Sequence, residues 1–195
     1  MRLSDYIFRT LADWGLRQAF FITGGGAMHL NDALGAEPRI SRLCCLHEQA
    51  CAIAAEAYAR VAGIPAAVSV TSGPGGTNAI TGVAGAWLDS IPMIVISGQI
   101  KTETMISSCP ELKLRQLGDQ ELNITDIVRP ITKYAVAVKK PEEIRYHLER
   151  ACCLAMTGRP GPVWLDIPLD VQAAQIEPET LAGYDSSEDP LPELN

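Results

Sequence analysis

Three things are scarce or missing in this sequence: basic residues, long apolar runs and cysteine pairs with Cys-x-x-Cys spacing. Lys and Arg total 16 against 23 Asp and Glu, which gives a formal net charge of −7. The resulting negative field repels nucleic acids and anionic lipid surfaces, so neither is expected as a partner. The strongest apolar run, residues 91–96, is interrupted by Pro92 and is far too short to span a bilayer. These absences predict a soluble, cytoplasmic protein that binds neither nucleic acid nor membrane.

The cysteine pattern argues against a secreted, disulfide-stabilised domain. No Cys-x-x-Cys spacing occurs, and six cysteines in 195 residues are too sparse for such a framework. The pattern is typical of buried free thiols in a reducing compartment, at Cys44, Cys45, Cys51, Cys109, Cys152 and Cys153.

Short apolar segments recur along most of the chain. Each is four to six residues long, and several are followed directly by glycine-rich turns, which suits strands that are buried on both faces. The predicted strands cover residues 19–22, 43–46, 66–70, 91–96 and 163–167.

Helical patterns separate several of these strands. They cover residues 48–62, 77–88 and 142–156, and an additional amphipathic helix opens the chain, with Ser4 as its amino-terminal cap and Gly15 as its left-handed end. Strands that alternate with helices predict an α/β fold: a doubly wound, mainly parallel sheet with helices on both faces. Ligands are then expected where the strands end.

Two segments depart from this alternation. Residues 102–120 show no clear period, and a loop of that length in a compact domain is usually functional or mobile. The stretch 176–195 is acidic and rich in proline, and few of its residues suit a core. We therefore expect one domain over residues 1–175 and a linker over 176–195 that is cut short before any further domain.

Two glycine-rich turns and one glutamate are the candidate functional features. Gly24-Gly25-Gly26 follows the first strand, and the segment from Thr71 to Asn78 follows another strand and opens a helix, so backbone amides there could approach a ligand. Neither turn is a Walker loop or a complete dinucleotide fingerprint. Glu48 lies in the first turn of its helix, where the helix dipole favours a negative charge. Taken singly, tight turns and an ordinary helix start explain these features equally well, and nucleotide binding stays open.

The order of the motifs is more informative than any one of them. It resembles the N-terminal domain of acetolactate synthase, pyruvate oxidase and related thiamine-diphosphate enzymes, over roughly residues 3–172. Two positions differ from the family pattern: the first glycine turn lacks a proline, and Ala57 stands where a glycine is common. The matching motifs, in order, are the glycine turn, His47-Glu48-Gln49, Thr71 to Asn78, Asp89-Ser90-Ile91-Pro92, Gly98-Gln99, residues 158–163 and Asp166-Ile167-Pro168.

The resemblance implies that this domain holds the aminopyrimidine of thiamine diphosphate. A glutamate at the position of Glu48 hydrogen-bonds the ring nitrogen N1′ in such enzymes and favours the imino tautomer, a role that requires a dry pocket. His47 lies beside the glutamate and could contact the substrate, although a histidine bonded within the fold is at least as good an interpretation. Gln120 and Glu121 stand where related synthases place substrate-side residues, although a solvated turn explains them equally well. The residues implied for cofactor binding are Glu48, Thr71, Pro74, Asn78, Gly24 and Gly25.

The resemblance also implies a reaction and partners. The substrate would be a 2-oxo acid such as pyruvate, and the enzyme a carboligase or decarboxylase that works as a homodimer or homotetramer. Mg²⁺ and the diphosphate would be held by a C-terminal domain, in cis or in trans, and FAD serves some of these enzymes. No metal ligand is predicted within the chain, which alone should have little activity. The alternative is a non-catalytic binding or assembly module whose interaction face is the alanine-rich helix 48–62.

Overall fold

Six strands form a single parallel sheet in the computed structural model, which describes residues 1–190. The strand order is β2-β1-β3-β4-β6-β5, and every neighbouring pair is parallel. This arrangement confirms the predicted doubly wound sheet. The strands are β1 (Gln18–Phe21), β2 (Ser41–Cys44), β3 (Ala67–Val70), β4 (Met93–Gln99), β5 (Tyr134–Ala137) and β6 (Pro162–Pro168).

Helices cover both faces of the sheet, and each face has its own apolar core. Side chains of α1, α2, α6 and α7 pack on one face, and those of α3, α4 and α5 pack on the other. Alternate residues of β4 feed the two cores: Ile94 and Ile96 face the first, and Met93 and Val95 face the second. The helices are α1 (Leu3–Trp14), α2 (Met28–Ala36), α3 (Glu48–Ala62), α4 (Pro74–Leu88), α5 (Ile124–Val128), α6 (Ile144–Met156) and α7 (Leu169–Ala173).

The first helix ends as predicted but begins differently. Gly15 adopts the left-handed conformation with φ 108°, as a glycine cap requires. Ser4 does not cap the helix, which already begins at Leu3. Its hydroxyl is buried and donates instead to the Gln172 carbonyl oxygen at 2.8 Å. The reason is tertiary, because the first residues lie beside the segment after α7, where the Leu3 amide donates to the Ala174 oxygen.

The prediction of a buried strand over residues 43–46 was wrong in extent and in environment. The strand β2 ends at Cys44 and lies at the edge of the sheet, so it lacks a neighbour on one side. Leu43 is 52% exposed as a result. The cysteines are all free, as expected, but only Cys51 and Cys152 are buried.

The segments without predicted structure are ordered by local contacts. Residues 102–112 form three single 3-10 turns. Residues 176–190 run along α6, where both guanidinium nitrogens Nε and Nη2 of Arg150 contact the Asp189 carboxylate at 2.8 Å. The proposed domain division at residue 175 stays a prediction, and the last five residues of the expected linker, 191–195, lie outside the described residues.

The connections of the sheet create a crevice at its carboxyl edge. The strand β1 leads into α2 on one face, whereas its neighbour β3 leads into α4 on the opposite face. Loops that diverge in this way leave space between them, and ligands of doubly wound folds bind at such switch points. The glycine turn and the segment from Thr71 to Asn78 both border this crevice. Within residues 1–190, no helix has the length and apolar composition that crossing a membrane requires.

Candidate functional site

Glu48 begins α3 at the carboxyl edge of the sheet. The preceding residue, His47, is the amino-terminal cap, and its Nδ1 accepts a hydrogen bond from the Gln49 amide at 3.2 Å. Glu48 is only 9% exposed, so its carboxylate lies within the protein rather than in solvent. The cap explains why the histidine precedes the helix, and the imidazole is therefore bonded within the fold on one side.

The start of α4 lies opposite Glu48 and supplies its polar partner. The Asn78 amide Nδ2 donates to Glu48 Oε2 at 2.9 Å. Close packing of the two helices permits this contact, because Gly82 of α4 lies where a Cβ would stand 2.5 Å from the Ala52 Cβ. Pro74 occupies the first turn of α4, where its missing N–H costs nothing.

Thr71 joins the two glycine-rich turns. Its Oγ1 accepts a hydrogen bond from the Gly26 amide at 3.1 Å. A Cβ at Gly24 would lie 2.4 Å from the Thr71 Cβ, so only glycine permits this approach. Gln172 supports the turn from below by donating to the Gly26 oxygen at 2.7 Å. Gly25 meets no described atom within 4 Å of where its Cβ would be and faces open space.

Among residues 1–190, the Glu48 carboxylate is hydrogen-bonded by Asn78 through Oε2 alone. A Cβ at Gly75 would lie 2.7 Å from the Thr71 Cγ2 and 3.6 Å from Glu48 Oε1. Glycine at this position therefore lets Thr71 pack close beside the Glu48 carboxylate, whose Oε2 is held by Asn78. A carboxylate oxygen accepts hydrogen bonds, so Oε1 would pair with an N–H of a ligand or share a proton with a ring nitrogen, such as that of an aminopyrimidine.

Gln120 lies at the same edge but contacts the site through its backbone. It is exposed and has a positive φ of 55°. Its carbonyl oxygen would be 2.1 Å from a Cβ at Gly73, whose φ is also 55°. The structure thus brings Glu48, Thr71, Asn78 and the glycine turn together, with Gln120 adjoining them. Among residues 1–190, no group of three His, Cys, Asp or Glu side chains is arranged to hold a metal ion.

One buried carboxyl group was not predicted as a functional residue. Asp166 in β6 accepts hydrogen bonds from the Ser97 hydroxyl at 2.5 Å and from Gln99 Nε2 at 3.0 Å. Trp164 Nε1 donates to the same serine at 2.7 Å. Burial raises the pKa of Asp166 to about 7, although the two hydrogen bonds oppose this. The signal available in the sequence was an acidic residue inside the apolar run 163–167.

Comparison with known proteins agrees with this geometry. The family model described as the thiamine pyrophosphate enzyme, N-terminal TPP binding domain, matches residues 1–124. The chain belongs to this family. The matched region includes Glu48, Asn78, Thr71 and both glycine-rich turns.

Relatives of this chain are named acetolactate synthases. The chain is 40% identical to the acetolactate synthase isozyme 3 large subunit of Escherichia coli over 168 residues, which is 86% of this chain and 28% of the relative. It is 36% identical to the chloroplastic acetolactate synthase 2 of Nicotiana tabacum over 194 residues, 97% of this chain and 28% of that protein. The chain therefore spans less than a third of the length of these relatives.

Proposed function

We propose that this chain binds the aminopyrimidine of thiamine diphosphate and activates the cofactor for acetolactate synthase-type chemistry on a 2-oxo acid such as pyruvate. The observation that carries the proposal is the buried Glu48 carboxylate. Asn78 donates a hydrogen bond to its Oε2, and Gly75 lies beside its Oε1. The names of the relatives support the reaction type. Thr71, Pro74, Gly24 and Gly25 would form the wall of the same site.

In this proposal Glu48 shares a proton with the ring nitrogen N1′. Asn78 fixes Oε2, so the carboxylate cannot rotate freely and Oε1 would be the oxygen that meets the ring. The low exposure of Glu48 limits the competition of water for that oxygen. When bound, thiamine diphosphate supplies the electron sink for decarboxylation of the 2-oxo acid.

Further binding partners follow from what this chain contributes. It would supply the pyrimidine site, while Mg²⁺ and the diphosphate would be held by a C-terminal domain in cis or in trans. An exposed stripe on α3 supports docking of such a domain or of a second copy. The stripe consists of Ala50, Ile53, Ala57 and Val61, which follow one another at helical spacing and face solvent.

The test is proton exchange at carbon 2 of bound thiamine diphosphate, followed by NMR in D₂O on the complete gene product with Mg²⁺. Glu48→Gln should slow this exchange by about 10² or more, because a general acid–base group typically contributes 10²–10⁴. Binding of the cofactor should change far less, since the amide keeps the shape of the carboxylate. Pyruvate turnover should fall in parallel with the exchange rate.

Glu142→Gln is the matched control. Glu142 is also a glutamate, but it is exposed and lies in the turn before α6, away from the site. The control should exchange carbon 2 at the wild-type rate. Wild-type exchange in the Glu48→Gln protein would remove the activating role from this carboxylate.

A non-catalytic assembly module is the second candidate, and the exposed α3 stripe favours it. Such a module would bind its partner domain or a second copy equally well before and after Glu48→Gln. It would also bind no thiamine diphosphate in the wild type, so cofactor titration of the wild-type protein separates the two functions.

A further inference from the structure

The buried carboxylate of Glu121 accepts hydrogen bonds from backbone amides of the long segment between β4 and α5. This segment, residues 100–123, is here called the 100–123 loop. Glu121 is 8% exposed. Its Oε1 accepts a hydrogen bond from the Ile106 amide at 2.6 Å, and its Oε2 accepts from the amides of Leu117 and Gly118 at 3.1 and 3.3 Å. One side chain thus ties together backbone segments that lie 15 and 4 residues before it in the chain.

The remaining anchors fix both ends of the loop. At one end the Thr102 amide donates to Asp170 Oδ1 at 3.0 Å. At the other end Gln99 Nε2 donates to the Leu122 carbonyl oxygen at 3.0 Å. The middle of the loop is held as well by Lys139, whose Nζ donates to Ser107 Oγ at 2.9 Å, and Glu121 is the side chain that joins Ile106 to Leu117 and Gly118.

The closed loop forms part of the candidate cofactor site. Gln120, next to Glu121, has a positive φ and sets its carbonyl oxygen against Gly73, at the start of α4. On its other side the loop lines a cavity of about 350 Å³ that borders the glycine turn. Loop residues Lys101, Thr104 and Asp119 line this cavity together with Gly25, Gly26 and Ser72.

We propose that Glu121 is a positioning residue that fixes the 100–123 loop as a preformed wall of the substrate side of the site. The substrate-side role in this inference rests on the proposed function, whereas the ordering of the loop by Glu121 does not. The carboxylate accepts hydrogen bonds and donates none, and three amides converge on it, so it orders the loop before any ligand arrives. The substrate then meets a fixed surface, and Gln120 is held at the edge of the pyrimidine segment.

The experiment compares Glu121→Gln with Glu111→Gln in the complete gene product. The first change sets an NH₂ group among three N–H donors, so at least one of these bonds is lost. Glu111 is exposed in a 3-10 turn of the same loop and is the matched control. Amide hydrogen exchange is followed at Ile106, Leu117 and Gly118 without ligand, and KM, kcat and cofactor affinity are measured with pyruvate and thiamine diphosphate.

We expect exchange at these three amides to rise by about tenfold or more in Glu121→Gln, since loss of a charge-assisted hydrogen bond lowers local stability by that order. KM for the 2-oxo acid should rise at least about fivefold, while kcat and cofactor affinity change by less than about twofold; such a split is the signature of positioning for substrate binding. Glu121→Asp, which keeps the charge, should restore part of both effects.

Unchanged exchange in Glu121→Gln would overturn the inference, and so would faster exchange with an unchanged KM. Equal loss of kcat and cofactor affinity, together with a lower unfolding midpoint, would also overturn it in favour of a general structural role. If the wild type bound no cofactor and turned over no 2-oxo acid, the proposed function would fail together with the substrate-side role. The exchange comparison would then still decide whether Glu121 orders the loop.

Discussion

Asp166 shows how a single buried group can tie the stability of this domain to pH. Its folded pKa is about 7, above the ~3.9 of an unfolded Asp, so the folded state binds its proton more tightly. The protonated carboxyl can keep its hydrogen bonds to Ser97 and Gln99, and it carries no charge that burial would penalise. The stability that this adds is complete below about pH 4 and is lost as the pH rises towards 7.

We therefore predict that the free energy of unfolding of the wild type falls, through Asp166, by up to ~1.4 kcal/mol per pH unit between about pH 4 and 7. Asp166→Asn lacks the titrating group and should lack this part of the decline, although its amide faces the Gln99 donor and lowers stability at every pH. Urea unfolding of both proteins at four pH values from 4.5 to 7.5, in steps of about one, measures the difference. Parallel pH profiles would show that the carboxyl does not titrate in this window.

The sequence predicts that Glu48 starts a helix, and the structure confirms this, whereas its role in cofactor binding stays a prediction. An acidic residue in the first turn of a helix is visible without coordinates, and five further motifs follow it in the order that resembles the family. The role of Glu121 is not visible, because its three partners lie up to 15 residues away in a segment with no periodic pattern. Asp166 was missed for a related reason, since only the assembled sheet shows that its partners Ser97 and Gln99 come from the neighbouring strand β4.

Among the elements, the contact between α3 and α4 decides the geometry of the site. Gly82 lies where a Cβ would be 2.5 Å from the Ala52 Cβ and 2.7 Å from the Ile53 amide nitrogen. Because backbone cannot yield as a flexible side chain can, any larger residue at 82 must separate the two helices. Separation would move Asn78 away from Glu48, which lies at the start of the partner helix.

Gly82→Ala should consequently destabilise the domain by ~1–3 kcal/mol and weaken binding of thiamine diphosphate. Gly85→Ala is the control on the same helix, because a Cβ there would lie 3.8 Å from Glu56 Oε2, an ordinary contact. That change should leave cofactor binding intact and add about 0.5–1 kcal/mol of stability through helix propensity. Urea unfolding and cofactor titration of both variants check this, and equal stabilities for the two would contradict the close-packing argument.

Elements with clear boundary signals were predicted to within a few residues, including the short strands β1 and β3, whereas three other short elements were missed. The bounds of α3 match the prediction, because a charged first turn, a regular small-residue pattern and Gly63 in the left-handed conformation mark both ends. The strand β5 and the helices α5 and α7 were missed, since four or five residues are too few to show a period. The exposure of β2 could not be predicted locally either, because edge position depends on the order of all six strands.

At the scale of the whole molecule, the exposed apolar stripe on α3 is the surface that we expect another chain or domain to cover. Val61 is 91% exposed and Ile53 lies two turns before it on the same side of the helix. Exposed apolar side chains in a row, rather than singly, mark a surface that another chain or domain covers. The candidate cofactor site lies at the amino-terminal end of the same helix, which begins at Glu48.

Val61→Glu should therefore weaken self-association or domain docking of the complete gene product by at least about tenfold, because a covered charge without a partner costs more than 1.4 kcal/mol. Its own free energy of unfolding should change by no more than ~0.5 kcal/mol, since the side chain is solvated in the isolated chain. Leu112→Glu, also exposed but on the 100–123 loop, should leave the assembly unchanged. Sedimentation velocity across a concentration series measures the shift, and the same assembly in both variants would show that this stripe faces solvent in the working protein. If the assembly weakens and cofactor affinity falls with it, the covering surface also completes the cofactor site.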